Sequence, residues 1–247
     1  MRPWSAQDVL TVWEIGQSQH AIERALTILK WAYPEKSDDE LWSMSVGQRD
    51  VGLLTVYDEH FGSSLQGYAE CPGCGECLEF TVKTSEIGMN DPATRDGEPT
   101  RLLELPEHDL VLTFRLSNSS DLAAIRFAGD SQAAGRLLAK RCLVSAGRQG
   151  STLEEQELTS DLIAKLAARC AQEDPQAEVL IELHCPACDN HWTQLLDILE
   201  FLWAGVCRQA RQLLRDVHIL ASAYGWRESD ILSLSPARRQ FYLEMAG

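Results

Sequence analysis

Two copies of one short pattern, Cys71-Pro72-Gly73-Cys74 and Cys185-Pro186-Ala187-Cys188, are the residues of this chain best suited to chemistry. Positions 75 to 184, 110 residues, lie between them, and each copy leads into a strand-like run. Cys-x-x-Cys lets two thiolates point at one cation from a tight turn. A tetrahedral Zn²⁺ needs four ligands, which two such turns supply. A single pair would be weak evidence, but two pairs with the same internal proline predict one structural zinc site. Cys71, Cys74, Cys185 and Cys188 are its expected ligands, and the ion would tie together two distant stretches of chain. Cys77, His184 and His191 lie beside the turns and could each replace a ligand.

Rival chemistries fare worse. Catalytic zinc keeps an open position and usually uses His or a carboxylate. The nucleobase-deaminase pattern needs His-x-Glu, which the chain lacks, before Pro-Cys-x-x-Cys, whereas here the proline lies inside each pair. Cys-Pro-Ala-Cys resembles a redox dithiol, but that needs a helix N-terminus to acidify the thiol. Asp189-Asn190-His191-Trp192 reads instead as a turn into a strand. No Gly-x-Ser-x-Gly elbow, phosphate loop or His-Glu-x-x-His occurs. The many carboxylates are scattered over helical faces, where solvation is the usual explanation.

Charge and composition narrow the partners. The apolar fraction of 45% and charged fraction of 24% are those of a globular protein. A net charge of −15 argues against nucleic acid, whose binders rely on Lys and Arg. The charge is uneven: from Ala204 onward six arginines face four acids, giving +2, so residues 1–203 carry −17. That split fits both a solvated helix face and a tail that docks against something acidic. The start, MRPWSAQDVL, lacks the apolar core of a signal peptide. No run approaches the ~18 apolar residues that span a bilayer. A cytoplasmic protein with metal-bound and buried thiols, not disulfides, is therefore expected. Cys142, Cys170 and Cys207 sit in helical patterns as small buried hydrophobes.

The elements that must position the cysteines can be read from periodicity. Helices are expected from Ser5, with Asp8 as its cap partner, through Ile22, Leu26 and Leu29 to Pro34, after the capping box Ser37-Asp38-Asp39-Glu40, and around Leu54, Tyr57 and Phe61. Leu65 to Glu70 and the alternating Leu78, Phe80 and Val82 flank the first turn as strands. Asn90 to Thr100 is a polar loop and the best candidate for disorder. A hairpin of Leu102–Leu105 and Leu110–Leu116 follows, then helices from Asp121, Gln132 and about Ser160, with a loop at Gly147 to Ser151. Val179, Ile181 and Leu183 enter the second turn as a strand. A long amphipathic helix from about Leu195 to Ala223 ends at Gly225, and Ser235-Pro236 caps a last short helix.

The fold class predicted is α+β and mostly α-helical, with helical parts joined by a β-hairpin zinc ribbon and a long C-terminal amphipathic helix. The expected divisions are an N-terminal helical region (1–64), a first knuckle hairpin (65–88), a hairpin plus helical region (101–177), a second knuckle (178–194) and a C-terminal helical part (195–247).

Three stretches together, CPGCGECLEF (71–80), LHCPACDNHW (183–192) and YGWRESDILSLSPARRQFYLEMAG (224–247), resemble baseplate proteins of contractile phage tails and phage-tail-like injection systems. They are similar to the T4-type baseplate hub assembly chaperones, and the likeness runs through RLSNSSDL (115–122). The resemblance implies a non-enzymatic protein, without a small-molecule substrate, that acts with baseplate or hub partners during assembly in the bacterial cytoplasm, leaving as a chaperone or staying in the particle. It assigns the zinc to the same four cysteines, and Cys77 departs from the simple pattern. In the tail, Trp226, Arg238, Arg239, Phe241 and Tyr242 are candidate partner-binding residues, because aromatic and Arg-rich surfaces are favoured at interfaces. They could equally fold back on the long helix. A generic zinc-ribbon adaptor in an unrelated complex is the alternative reading.

Overall fold

The computed structural model describes residues 1–87, 100–148, 151–152 and 159–246. Four helices open the chain: α1 (Ala6–Gln17), α2 (Ala21–Ala32), α3 (Asp38–Ser43) and α4 (Val46–Phe61). Each begins at a capping box that satisfies amides the helix itself leaves unpaired. Ser5 pairs with Asp8, His20 with Glu23, Ser37 with Glu40 and Ser45 with Gln48. The apolar stripes of α2 and α4, including Ile28, Leu29, Leu53 and Leu54, form the main core with Leu199, Leu202 and Val206 of a much later helix.

Two hairpins flank the middle of the chain. Strands β1 (Ser64–Glu70) and β2 (Cys77–Lys83) pair antiparallel, from Ser64 opposite Lys83 to Glu70 opposite Cys77. Between the hairpins, β3 (Arg101–Leu105), β4 (Leu110–Phe114), β5 (Leu143–Arg148) and β6 (Ser151–Thr152) form a four-stranded sheet in that order. Helices α5 (Ser119–Ile125), α6 (Ser131–Cys142) and α7 (Ser160–Glu173) belong to this middle part. Leu162 of α7 joins the sheet residues Leu105, Leu110 and Leu112 in one small core. Strands β7 (Leu180–His184) and β8 (His191–Leu195) make the second hairpin, in register from Leu180–Leu195 to His184–His191.

The chain ends in α8 (Ile198–Tyr224), 27 residues long, then α9 (Glu228–Leu232) and α10 (Pro236–Ala246). At 1.5 Å per residue α8 is on the order of 40 Å long, and it packs through Leu202 and Val206 against α2 and α4 and through Ala210 and Leu213 against α1. None of the described helices is long and apolar enough to cross a membrane.

The α+β class with two antiparallel hairpins and a long C-terminal helix is what the structure shows, and three local expectations are corrected. Gly147 and Ser151 are strand residues of β5 and β6, because Leu112 and Thr113 of β4 offer Ala146 and Ser145 a ladder across more than thirty positions of sequence. Leu195 ends β8 opposite Leu180, so α8 starts three residues later, at Ile198, with Asp197 as its cap. α9 is an additional helix. The predicted loop at Asn90 to Thr100 lies outside the described residues except for Thr100.

Candidate metal centre

The two Cys-x-x-Cys turns sit at the tips of the two hairpins, and the helices beneath bring those tips together. α4 leads into β1 and β8 leads into α8, and the two helices touch closely: a Cβ on Gly205 of α8 would lie 3.1 Å from the Phe61 ring. The first hairpin also lies tight on α8. At Gly67 of β1 a Cβ would stand 2.6 Å from Phe80 and 2.8 Å from Phe201, so that approach needs a residue without a side chain.

Each turn closes on its own backbone. The Cys71 amide donates to the Glu76 carbonyl at 2.8 Å and the Gly75 amide to the Cys71 carbonyl at 2.9 Å. Cys185 with Asn190, and Asp189 with Cys185, repeat these bonds at 2.9 Å each. The thiols then face across the gap. Sγ of Cys71 lies 3.6 Å from Sγ of Cys188, and Sγ of Cys74 lies 3.7 Å from Sγ of Cys185. All four sulfurs lie within 4.8 Å of one another.

That spacing meets the requirement of a shared ion. Four sulfurs at roughly 2.3 Å from a tetrahedral zinc stand about 3.8 Å apart. Disulfide-bonded sulfurs would stand at about 2 Å, and all eight cysteines are free. Cys71 and Cys185 are buried while Cys74 and Cys188 reach solvent, so the cluster has an inner and an outer edge. The Gly73 amide donates to Cys71 Sγ at 3.4 Å, and Asn190 Nδ2 reaches across from the other turn to the same sulfur at 3.9 Å. Such contacts from beyond the ligands orient a thiolate and tune its charge.

The electrostatics of the bare thiols favour a cation. Burial would raise the Cys71 thiol, but the Gly73 and Cys74 amides, helped by the Cys188 and Cys185 thiols, bring it down to about 6. The Asn190 amide pulls Cys188 downward, yet its hydrogen bonds with Cys74 and Cys71 push it up to about 12. Cys71 and Cys188, in contact, are thus pushed in opposite directions, and a cation between them would relieve that competition. Cys142 and Cys170 behave differently. Burial pushes their thiols up to about 12 and about 11, and both line an apolar cavity of about 660 Å³ beside α6 and α7. They are packing residues.

Cys77, His184 and His191 stand outside the sulfur cluster. Cys77 is exposed at the start of β2. The two histidines group instead with Asp189. Among the described residues, these are the two groups of three or more side chains able to hold a metal. Asn190 is the contributor that sequence reasoning missed. Its signal was positional: it follows Cys185 as Glu76 follows Cys71, within a duplicated turn.

The tail residues divide. Arg239 is buried, and its Nε donates to Asp216 Oδ2 of α8 at 3.1 Å. Trp226 stacks on Tyr224 with ring centroids 4.8 Å apart, and Tyr242 meets it edge-on at 4.9 Å. Arg238 is exposed, and Phe241 keeps 61% of its surface in solvent. The tail therefore folds back through Arg239 and the aromatic cluster while presenting Phe241 and Arg238.

A family model described as T4 bacteriophage base plate protein matches residues 2–203, a span that contains both Cys pairs. Thiamine-monophosphate kinase of Halobacterium salinarum is 32% identical over 121 residues, covering 49% of this chain and 37% of that protein. The chain thus spans little more than a third of the relative's length. No solved structure matches it.

Proposed function

The chain belongs to the T4 bacteriophage base plate protein family, and from that premise we propose that it is a non-enzymatic zinc protein serving baseplate hub assembly in the bacterial cytoplasm. One observation carries the reading: the family match runs across four fifths of the chain and encloses both Cys-x-x-Cys knuckles, whose four sulfurs converge. Cys71, Cys74, Cys185 and Cys188 would hold one Zn²⁺. Bound there, the ion supplies a redox-inert cross-link and no open position for a substrate.

The residues do the remaining work. The buried Cys71 and Cys185 line the inner edge of the cluster where the two hairpin tips meet, and Asn190 and the Gly73 amide set the direction of the Cys71 sulfur. The hairpins then form a rigid surface beside a long helix, a frame suited to holding a partner subunit. Phe241 and Arg238 are the tail residues offered to that partner, since Arg239 is committed to Asp216. Phosphoryl transfer, the activity named for the haloarchaeal relative, is not extended to this chain, because the likeness covers less than half of it.

Deleting the gene in cells that make the particle tests the reading. The expected result is that baseplates fail to assemble and that tagged full-length protein captures a hub subunit. Finding it in purified particles would mark a minor structural component, and its absence there an assembly chaperone. Normal yields of intact particles from the deletion strain would overturn both.

A further inference from the structure

The two knuckles share one frame but differ at one revealing position. The residue after each second cysteine sits at positive φ, Gly75 at 77° and Asp189 at 60°. Glycine adopts that conformation freely, whereas an L residue pays on the order of 1 kcal/mol for it. Aspartate is one of the few that tolerate it. The second turn accepts that cost and in return brings a carboxylate oxygen to 2.7 Å from His184 Nε2. His184 is the register partner of His191, and their rings stack with centroids 4.3 Å apart at 20°. Donor atoms of all three side chains lie within 4.8 Å of one another, and all three are exposed. The corresponding positions of the first knuckle hold Glu70, Gly75 and Cys77 and supply no such group among the described residues.

We infer that His184, Asp189 and His191 form a second metal site on the solvent side of the second knuckle, taking one divalent transition cation through two imidazoles and a carboxylate. The ligand set decides the class of ion. Imidazole suits zinc, nickel, cobalt and copper, while the hard cations magnesium and calcium prefer oxygen throughout. Nitrogen and oxygen donors about 2.1 Å from a tetrahedral ion stand about 3.4 Å apart. The 2.7 Å His184–Asp189 contact therefore opens slightly as the cation replaces the hydrogen bond, a change within reach of side-chain rotation. Three protein ligands leave a coordination position for water, unlike the closed sulfur cluster. The histidine site draws on none of the four thiols, so the two sites are chemically distinct.

Cobalt added to the full-length, metal-stripped chain separates the two. Thiolate-bound Co²⁺ gives an intense sulfur-to-metal absorption, which nitrogen and oxygen ligands do not. The expected result is uptake of two ions per chain, with the sulfur absorption complete after one, the other adding none, and the imidazole resonances of two histidines broadened. Asp189→Gly copies the residue type of the first knuckle and relieves the backbone, so the turn persists. It and the double variant His184→Gln/His191→Gln should lose one equivalent and keep the full absorption. Unperturbed histidine resonances in the parent, or variants that bind as many ions as the parent, would overturn the inference. A missing sulfur absorption would count against the four-cysteine site alone, because the histidine signals report the second ion separately.

Discussion

At the residue scale the sulfur cluster makes a sharp distinction between exposed cysteines of the two hairpins. Cys188 closes a 3.6 Å contact with Cys71, whereas Cys77 stands exposed outside the group. Cys188→Ser should therefore abolish stoichiometric zinc and lower the melting temperature, and Cys77→Ser should do neither. Atomic absorption on the purified variants with thermal melts checks both, and zinc loss in Cys77→Ser would place that residue among the ligands. The four cysteines were legible in the sequence because a turn that points two thiols at one ion needs a fixed local spacing. The duplication then supplied the other half of the shell. Less legible was the role of Arg239. A motif cannot show that a carboxylate 23 positions upstream, Asp216, will meet it on the buried side of α8.

At the scale of elements, packing and charge networks set the hairpins and the middle part in place. Gly67→Ala should cost about 1–3 kcal/mol, since its Cβ meets two aromatic rings at 2.6 and 2.8 Å and the core must shift to admit it. Denaturant unfolding checks this, and an unchanged midpoint would mean that the first hairpin rides loosely on α8. In the middle part, Asp121 is fully buried and accepts from Arg115 and Arg141, tying β4, α5 and α6 together. Burial works to raise its carboxyl, but the Arg115 hydrogen bonds, the Asn118 amide and Arg141 prevail and hold it below the usual range. A depressed carboxyl contributes stability above its unfolded value near 4 and loses it as pH falls through the lower folded value. Asp121→Asn should therefore be less stable at neutral pH and show a flatter decline below pH ~4, measured by urea midpoints across pH. Elements whose ends carry local chemistry were readable, as Ser5, Ser37 and Gly225 show. β5 was not, because α6 runs into it at Leu143 with no glycine or proline between, and only pairing with β4 decides its state.

For the whole molecule the question is how much the proposed ion would contribute to holding two distant stretches together. The helical core already seats both hairpins, through Leu65 and Val82 on one side and Ile181 on the other, without any help from the metal. Removing zinc should therefore not unfold the chain outright, as it does a classical zinc finger that lacks a core of its own. A ligand that binds the native state alone stabilises it by about 4 kcal/mol when present at roughly a thousand times its dissociation constant. For a chain of this size each kcal/mol moves the melting point by ~2–4 °C, so the stripped protein should melt about 8–16 °C lower. Helical circular dichroism at room temperature should be nearly unchanged, while amides of β1, β2, β7 and β8 exchange faster. Calorimetry and hydrogen exchange before and after chelation measure both effects. Equal melting points would mean that the sulfurs converge without a load to bear. A wholly unfolded stripped protein would mean instead that the hairpins help to organise the helices, and that the core of α2, α4 and α8 cannot form until the ion has joined them.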